Sequence, residues 1–181
     1  HSSPRRQRQM CIRDRGSIAY TGGSGDDSLT YGDFLARYEG TATFNMSRGG
    51  NNTFVAGSSA VSSGSLSYTG GSGDDSLTFD AYLAFDGSAT FDMSAGGNNT
   101  LVAEHFAAES GSLSYTGGSG DDSLTFGNDL AFDGSATFDM SAGGNNTFVA
   151  GNSAASDGSI AYTDGSGDDS LTFGNDLAYD G

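Results

Sequence analysis

The feature that most constrains this chain is a repeat of 23 or 24 residues that runs from Gly16 to the end of the sequence. Each unit opens with Gly and then Ser or Thr, carries an aromatic residue shortly afterwards, and continues into a Gly-rich turn that ends in a polar pair. The units start at Gly16, Gly40, Gly64, Gly87, Gly111, Gly134 and Gly158. Two versions of the unit alternate, so the closest similarity recurs every 47 or 48 residues. Such periods predict a solenoid, a propeller or another repeat array.

Inside each unit, short segments such as residues 112–115 and 123–126 alternate small polar with apolar residues. A period of two predicts half-buried strands, and no segment has the 3.6-residue period of an amphipathic helix. A propeller blade has a suitable length of about 40–45 residues, but its inner and outer strands would not share one sequence. We therefore predict an all-β parallel solenoid of about seven coils, with one unit per coil. Each coil has two firm strands and a weaker third strand near residues 130–132.

Stacking equivalent positions about 4.8 Å apart predicts four inward-facing columns of side chains. On the first strand these are Ile18, Ala42, Leu66, Ala89, Leu113, Ala136 and Ile160, and Tyr20, Phe44, Tyr68, Phe91, Tyr115, Phe138 and Tyr162. On the second strand they are Leu29, Phe54, Leu77, Leu101, Leu124, Phe148 and Leu171, and Tyr31, Ala56, Phe79, Ala103, Phe126, Ala150 and Phe173. Large and small residues alternate in the first and last columns, which fills a narrow core without voids.

Residues 1–15 differ in composition from the repeats, and we expect them to lie outside the fold. They contain five of the seven Arg, the only Pro and the only Cys, and the string RQRQMCIRDR resembles a translated sequencing-adapter artefact. A disordered basic arm is the alternative. The solenoid domain is then residues 16–181, which we expect to be truncated at both ends. Its two Arg stand against 22 acidic residues, a net charge of −20, so we predict no nucleic-acid partner, and its apolar runs are too short for a membrane span.

Four of the turns follow the nine-residue pattern G-G-x-G-x-D-x-U-x, in which U is a large apolar residue. Residues 22–30, 70–78 and 117–125 match every fixed position, and residues 164–172 match except that Asp164 replaces the first Gly. This pattern resembles the calcium-binding nonapeptide of the repeats-in-toxin (RTX) family of secreted bacterial proteins. The resemblance covers four stretches of nine residues in a chain of 181. It implies an extracellular or cell-surface location in a bacterium and Ca²⁺ as a bound ion.

The resemblance also implies that calcium ligands lie in these turns, because calcium prefers six to eight oxygen ligands and glycines permit the positive φ of a tight loop. The metal-binding residues it indicates are Asp26, Asp27, Asp74, Asp75, Asp121, Asp122, Asp168 and Asp169, together with Gly71, Gly73, Gly118 and Gly120. The nonapeptides are not in tandem, since Gly-Gly-Asn-Asn turns stand between them, and this departure predicts fewer or weaker sites. The alternative is that Asp and Asn cap the turns by accepting hydrogen bonds from nearby N–H groups.

Two outward columns of small residues suggest a binding face. They are Ser28, Thr53, Ser76, Thr100, Ser123, Thr147 and Ser170, and Thr30, Val55, Thr78, Val102, Thr125, Val149 and Thr172. A flat array of hydroxyl and methyl groups suits ice or carbohydrate, although Thr and Val suit any strand. A second acidic edge is formed by Asp86, Asp133, Asp157 and Asp180, for which we expect a role in turns.

The sequence predicts no enzyme. His105 is the only His of the repeats and occurs in one unit, and the chain contains no Ser-His-Asp set, Cys-His pair or zinc-spaced cluster. We expect the structural or adhesive repeat region of a secreted or surface bacterial protein, stabilised by calcium. Its expected partners are calcium ions, adjacent repeats of the same chain and a surface ligand such as carbohydrate, ice or a host surface. The alternatives are an ice- or carbohydrate-binding face, and a passive segment attached to an enzyme or toxin domain.

Overall fold

Parallel strands stacked coil upon coil make up the described part of the chain, and the predicted all-β parallel solenoid is confirmed. The computed structural model describes residues 17–32, 35–36, 40–57, 59–61, 64–108, 110–155, 158–174 and 177–179. Residues 1–15 lie outside these ranges, so their exclusion from the fold stays a prediction. Within the described ranges, no helix is long and apolar enough to cross a membrane.

The first sheet, called sheet A, takes one strand from each coil. Its strands, in spatial order, are β1 (Ile18–Thr21), β4 (Thr41–Asn45), β7 (Ser65–Thr69), β9 (Ser88–Asp92), β11 (Ser112–Thr116), β13 (Ser135–Asp139) and β15 (Ser159–Thr163). Neighbouring strands are parallel, and they pair equivalent residues of successive coils, such as Ile18 with Ala42 and Ala42 with Leu66. One sequence unit therefore makes one coil.

The second sheet, called sheet B, contains the remaining strands. Its main path is β2 (Ser28–Tyr31), β5 (Thr53–Ala56), β8 (Ser76–Phe85), β10 (Thr100–Ala108), β12 (Ser123–Phe132), β14 (Thr147–Ala155) and β16 (Ser170–Phe173), with the short strands β3 (Leu35–Ala36), β6 (Ser59–Val61) and β17 (Leu177–Tyr179) beside it. The predicted third strand is a separate element only in the three coils that contain β3, β6 and β17. In the other coils it continues the second strand across a bulge, for example where the register shifts between Ala103 and His105.

The core lies between the two sheets and contains the four predicted columns. Aromatic rings from opposite sheets meet there, with centroids 4.8 Å apart for Phe44 and Phe54 and for Phe138 and Phe148. The buried members run from Ala42 to Ala150 and belong to the five interior coils. In the two outermost coils the same columns are only partly buried, and Leu171 is exposed, because each of these coils has a described neighbour on one side alone. The number of fully packed coils is thus five, slightly fewer than the predicted seven.

Two sets of core residues were not predicted. Met46, Met93 and Met140 are fully buried at the turn out of sheet A. They alternate in the stack with glycines, since the Met46 N–H donates to the Thr69 carbonyl and the Gly70 N–H donates to the Asp92 carbonyl, both at 2.8 Å. The second set follows the bulge and consists of Leu83, Phe106 and Leu130.

Candidate functional site

The polar pairs that end the Gly-rich turns stack in two columns just before the strands of sheet B. Asp-type coils, which begin at Gly16, Gly64, Gly111 and Gly158, carry Asp-Asp, and Asn-type coils, which begin at Gly40, Gly87 and Gly134, carry Asn-Asn. The outer column is Asp26, Asn51, Asp74, Asn98, Asp121, Asn145 and Asp168, and the inner column is Asp27, Asn52, Asp75, Asn99, Asp122, Asn146 and Asp169. Backbone bonds such as Thr100 N–H to the Asp75 carbonyl, at 2.8 Å, keep the coils in register through these turns.

The outer column is an unbroken ladder of side-chain hydrogen bonds along the exposed edge. The backbone N–H of each residue donates to the side chain of the coil before it. Asn51 N lies 2.8 Å from Asp26 Oδ1, Asp74 N lies 2.8 Å from Asn51 Oδ1, and Asn98 N lies 2.7 Å from Asp74 Oδ1. The same contact continues to Asp168. Each step between coils is therefore bridged by one such bond.

The inner column is a second ladder that runs in the opposite direction. Here the backbone N–H donates to the side chain of the following coil. Asp27 N lies 3.2 Å from Asn52 Oδ1, Asn52 N lies 2.9 Å from Asp75 Oδ1, and Asp75 N lies 3.2 Å from Asn99 Oδ1. The pattern continues to Asp169. The five interior members are at most 1% exposed, so these bonds satisfy backbone N–H groups that water cannot reach.

The buried carboxylate of Asp75 is surrounded by N–H donors. Its Oδ1 accepts from Asn52 N at 2.9 Å and from Asn52 Nδ2 at 2.7 Å, and its Oδ2 accepts from Gly71 N at 2.7 Å. Asp122 has the equivalent backbone bonds from Asn99 and Gly118. Burial raises the pKa of both carboxyls above the usual 3.8, although these hydrogen bonds act in the opposite direction.

The asparagines of the inner column supply what a carboxylate cannot. Asn99 Nδ2 donates to the carbonyls of Met93 and Gly96 at 3.3 and 3.2 Å, and Asn146 Nδ2 makes the equivalent contacts in its own coil. An aspartate at these positions would leave the carbonyls without a donor. It would also place buried carboxylates in successive coils, where their charges repel with little screening. The alternation of Asp and Asn along the inner column therefore has a chemical basis.

The glycines of the nonapeptide turns are required for a different reason from the one predicted. Among the described glycines, positive φ occurs in the Asn-type turns, as at Gly50 and Gly97. Gly71 and Gly73 instead lie against the neighbouring coil. A Cβ at Gly71 would come within 2.7 Å of Asn52 Nδ2, and a Cβ at Gly73 would overlap Asn51 Oδ1. Close stacking of coils, and not a left-handed backbone, excludes side chains there.

Asp164 breaks the pattern of the turn in the coil that begins at Gly158. In the other Asp-type coils this position is glycine, and a Cβ on Gly117 would overlap the Asp122 carboxylate. Accordingly, Asp169 Oδ1 accepts a hydrogen bond from Asn146 N at 2.8 Å, but among the described contacts Asp169 accepts none from Gly165 N. The equivalent N–H donors, Gly71 and Gly118, are bonded in their coils. The departure from the motif at Asp164 thus changes which N–H groups donate to the Asp169 carboxylate.

The predicted metal ligands are brought together in two columns but not around a common point. Within the described ranges, no group of three or more His, Cys, Asp or Glu side chains could hold a metal ion. Asp75 and Asp122 are separated by an Asn-type coil, and their carboxylate oxygens accept N–H groups. These surroundings do not fit a cation at the inner column. Calcium binding at the predicted residues stays a prediction.

The other predicted positions form no further cluster with them. Asp86 and Asp133 are exposed at turns, whereas Asp157 and Asp180 lie outside the described residues. His105 lies on β10 beside the bulge. The outward hydroxyl columns of sheet B are in register, since Ser28 pairs with Thr53 and Thr53 with Ser76.

Comparison with known proteins gave no family model, no curated protein and no solved structure that matches this chain.

Proposed function

We propose that this chain is a structural repeat segment of a secreted or cell-surface protein, and acts as a rigid spacer. The observation that carries the proposal is the pair of hydrogen-bonded ladders, which cross every step between the seven coils. A catalytic site would break the repeat at one place, whereas these contacts recur from coil to coil. The extracellular setting rests on the resemblance of the turns to secreted repeats and on the acidic composition.

The spacer proposed here folds without calcium, because the inner ladder already supplies the buried carboxylates with hydrogen-bond donors. A calcium-stabilised spacer is the second candidate. The exposed outer carboxylates of Asp26, Asp74 and Asp121 favour it, since each takes part in the ladder through Oδ1 alone. The two candidates differ in whether the fold depends on a divalent cation.

Thermal unfolding of the full chain, followed by circular dichroism, tests this difference. We expect a cooperative transition in EDTA, and no larger midpoint in millimolar calcium than in magnesium or in NaCl of matched ionic strength. A ligand that binds only the folded state raises the midpoint. A rise specific to calcium that the D74N/D121N variant removes would support the calcium-stabilised spacer. A chain that is unfolded in EDTA would overturn the calcium-independent one.

An adhesive face on sheet B is a third candidate, favoured by the register of its outward Ser, Thr and Val columns. Thr78 and Thr125 of these columns are half-buried and stand on either side of Val102. Ice recrystallisation and glycan-binding assays on the full chain test this role. Activity that is lost in the T78L/T125L variant would support it, provided that the thermal midpoint is unchanged. Inactivity in both assays would leave the spacer as the better account.

A further inference from the structure

The buried methionines lie next to tyrosine hydroxyls of the following coil. Tyr68 Oη donates to Met46 Sδ at 3.6 Å, and Tyr162 Oη donates to Met140 Sδ at 3.8 Å. Each tyrosine follows its methionine by 22 residues in the chain. A thioether sulfur is a weak acceptor, so these contacts satisfy the two hydroxyls only in part.

Met93 and Tyr115 form the third pair of this kind, and this pair lacks the contact. They occupy the equivalent positions in their coils, since the Met93 N–H donates to the Thr116 carbonyl at 2.8 Å. Both side chains are fully buried. Among the residues that the structure describes, Tyr115 Oη is the one buried side-chain nitrogen or oxygen without a hydrogen-bond partner. A buried donor that has no acceptor lowers the stability of the fold.

The Tyr115 hydroxyl is a permanent donor in search of an oxygen acceptor. Burial raises the pKa of Tyr115, and the charges of Asp122 and Asp75 raise it further, so the hydroxyl keeps its proton. The Asp122 carboxylate is already occupied, because its Oδ1 accepts from Asn99 N and its Oδ2 from Gly118 N. Oxidation of the neighbouring methionine would supply the missing acceptor, since a sulfoxide is polar where a thioether is not.

We propose that Met93 is a modification site, the core methionine whose sulfoxide the folded solenoid retains because the new oxygen accepts the Tyr115 hydroxyl. Hydrogen peroxide transfers one oxygen atom to Sδ: the S–O bond forms, the O–O bond breaks, sulfur is oxidised by two electrons, and water leaves. At Met46 the oxygen is added where Tyr68 already has a partner, so folding gains less there. Because both sulfurs are buried, the oxidant reaches them on the unfolded chain, and folding then selects among the products.

Limited oxidation of the full chain tests the proposal and does not depend on its role as a spacer. Hydrogen peroxide is applied in denaturant to a low extent, the chain is refolded, and thermolysin removes the molecules that stay unfolded. Peptide mass spectrometry then compares sulfoxide at Met93 and Met46 before and after refolding. We expect the ratio of Met93 to Met46 sulfoxide to rise by about threefold or more in the folded fraction. A ratio that refolding leaves unchanged or lowers would overturn the site.

Removal of single hydroxyls separates the hydrogen bond from the room available. Y115F gives up no hydrogen bond, so it should keep its thermal midpoint and lose the enrichment, whereas the matched control Y68F should not lower it. Enrichment that persists in Y115F would overturn the role of the hydroxyl. Thermal melts of two oxidised variants give a second measurement. M46L/M140L, which keeps Met93, should lose fewer degrees on oxidation than M93L/M140L, and the reverse order would contradict the proposal.

Discussion

At the scale of single residues, the two aspartates of one turn have different tasks although they are neighbours in sequence. Asp75 is buried and accepts N–H groups at both oxygens, whereas Asp74 is exposed and takes part in the ladder through Oδ1. An asparagine at position 75 would turn an NH₂ group toward the Gly71 N–H, and two donors would face each other. We therefore expect D75N to lower the free energy of unfolding by about 1–3 kcal/mol, measured by chemical denaturation.

D74N is the matched control, because asparagine keeps the Oδ1 acceptor and its NH₂ group reaches water. Its effect should stay within about 0.5 kcal/mol, as for an ordinary surface substitution. Equal losses in the two variants would show that the buried carboxylate is not specifically required. A gain in stability in D75N would mean that removing a buried charge outweighs the lost acceptor.

The buried carboxylates also determine how stability changes with pH. Burial raises the pKa of Asp75 and Asp122 in the folded chain, so the folded state binds protons more tightly than the unfolded state. Stability from these groups therefore increases as the pH falls toward the unfolded pKa and is lost as the pH rises through the folded one. We expect a higher thermal midpoint at pH of about 4.5 than at pH 7, and a smaller difference in D75N/D122N. A midpoint that falls steadily on acidification would contradict this.

At the scale of strands, the alternation of large and small residues along a column sets the packing. Ala89 on β9 is buried between Leu66 and Leu113 of the neighbouring strands. A89L would place three leucines in succession where the column has room for two. Overpacking of this kind costs about 1–3 kcal/mol, which denaturant titration measures. Thr90 lies on the same strand but is exposed, so T90V should change the free energy of unfolding far less. Comparable losses would indicate that the column tolerates either volume.

The strands and their register follow from the sequence because the units align position by position. Side chains alternate along a strand, so matching Tyr68 with Phe91 and Leu77 with Leu101 is enough to predict which residues share a column. The pairing in the structure is the same. The methionine column was detectable by the same alignment, since Met93 occupies the unit position that Gly70 and Gly117 occupy in the adjacent units.

The contacts of the turns could not be predicted in the same way. Asp and Asn both favour turns and both accept hydrogen bonds, so their alternation does not reveal the direction in which each side chain reaches. Those directions depend on the backbone, because the N–H groups of consecutive residues donate to opposite neighbouring coils. The Asp74 N–H donates to Asn51 of the preceding coil, and the Asp75 N–H donates to Asn99 of the following coil. The bulge after Ala103 was missed for a related reason, because a register shift inside a strand changes pairing without changing the period of the sequence.

At the scale of the whole molecule, the solenoid is held together by contacts between successive coils. Each coil buries its apolar face against its neighbours, so stability is a sum of terms for single coils and for their interfaces. A net charge of −20 on residues 16–181 opposes folding through self-repulsion. Neutral Asn-type coils between the Asp-type coils reduce that repulsion along the polar edge. The order of the coils therefore contributes to stability in addition to their number.

Deletion of whole coils separates order from number. Removing residues 87–110 would stack two Asp-type coils, with Leu66 on Leu113 and Asp75 beside Asp122. Removing residues 87–133 takes away twice as many coils but leaves the alternation intact. We expect the shorter chain to unfold cooperatively with a thermal midpoint above that of the longer one, because its one new interface is of the native kind. Circular dichroism melts of the two variants measure this. A longer chain that proves the more stable would mean that coil number outweighs complementarity, and that like coils stack as well as unlike ones.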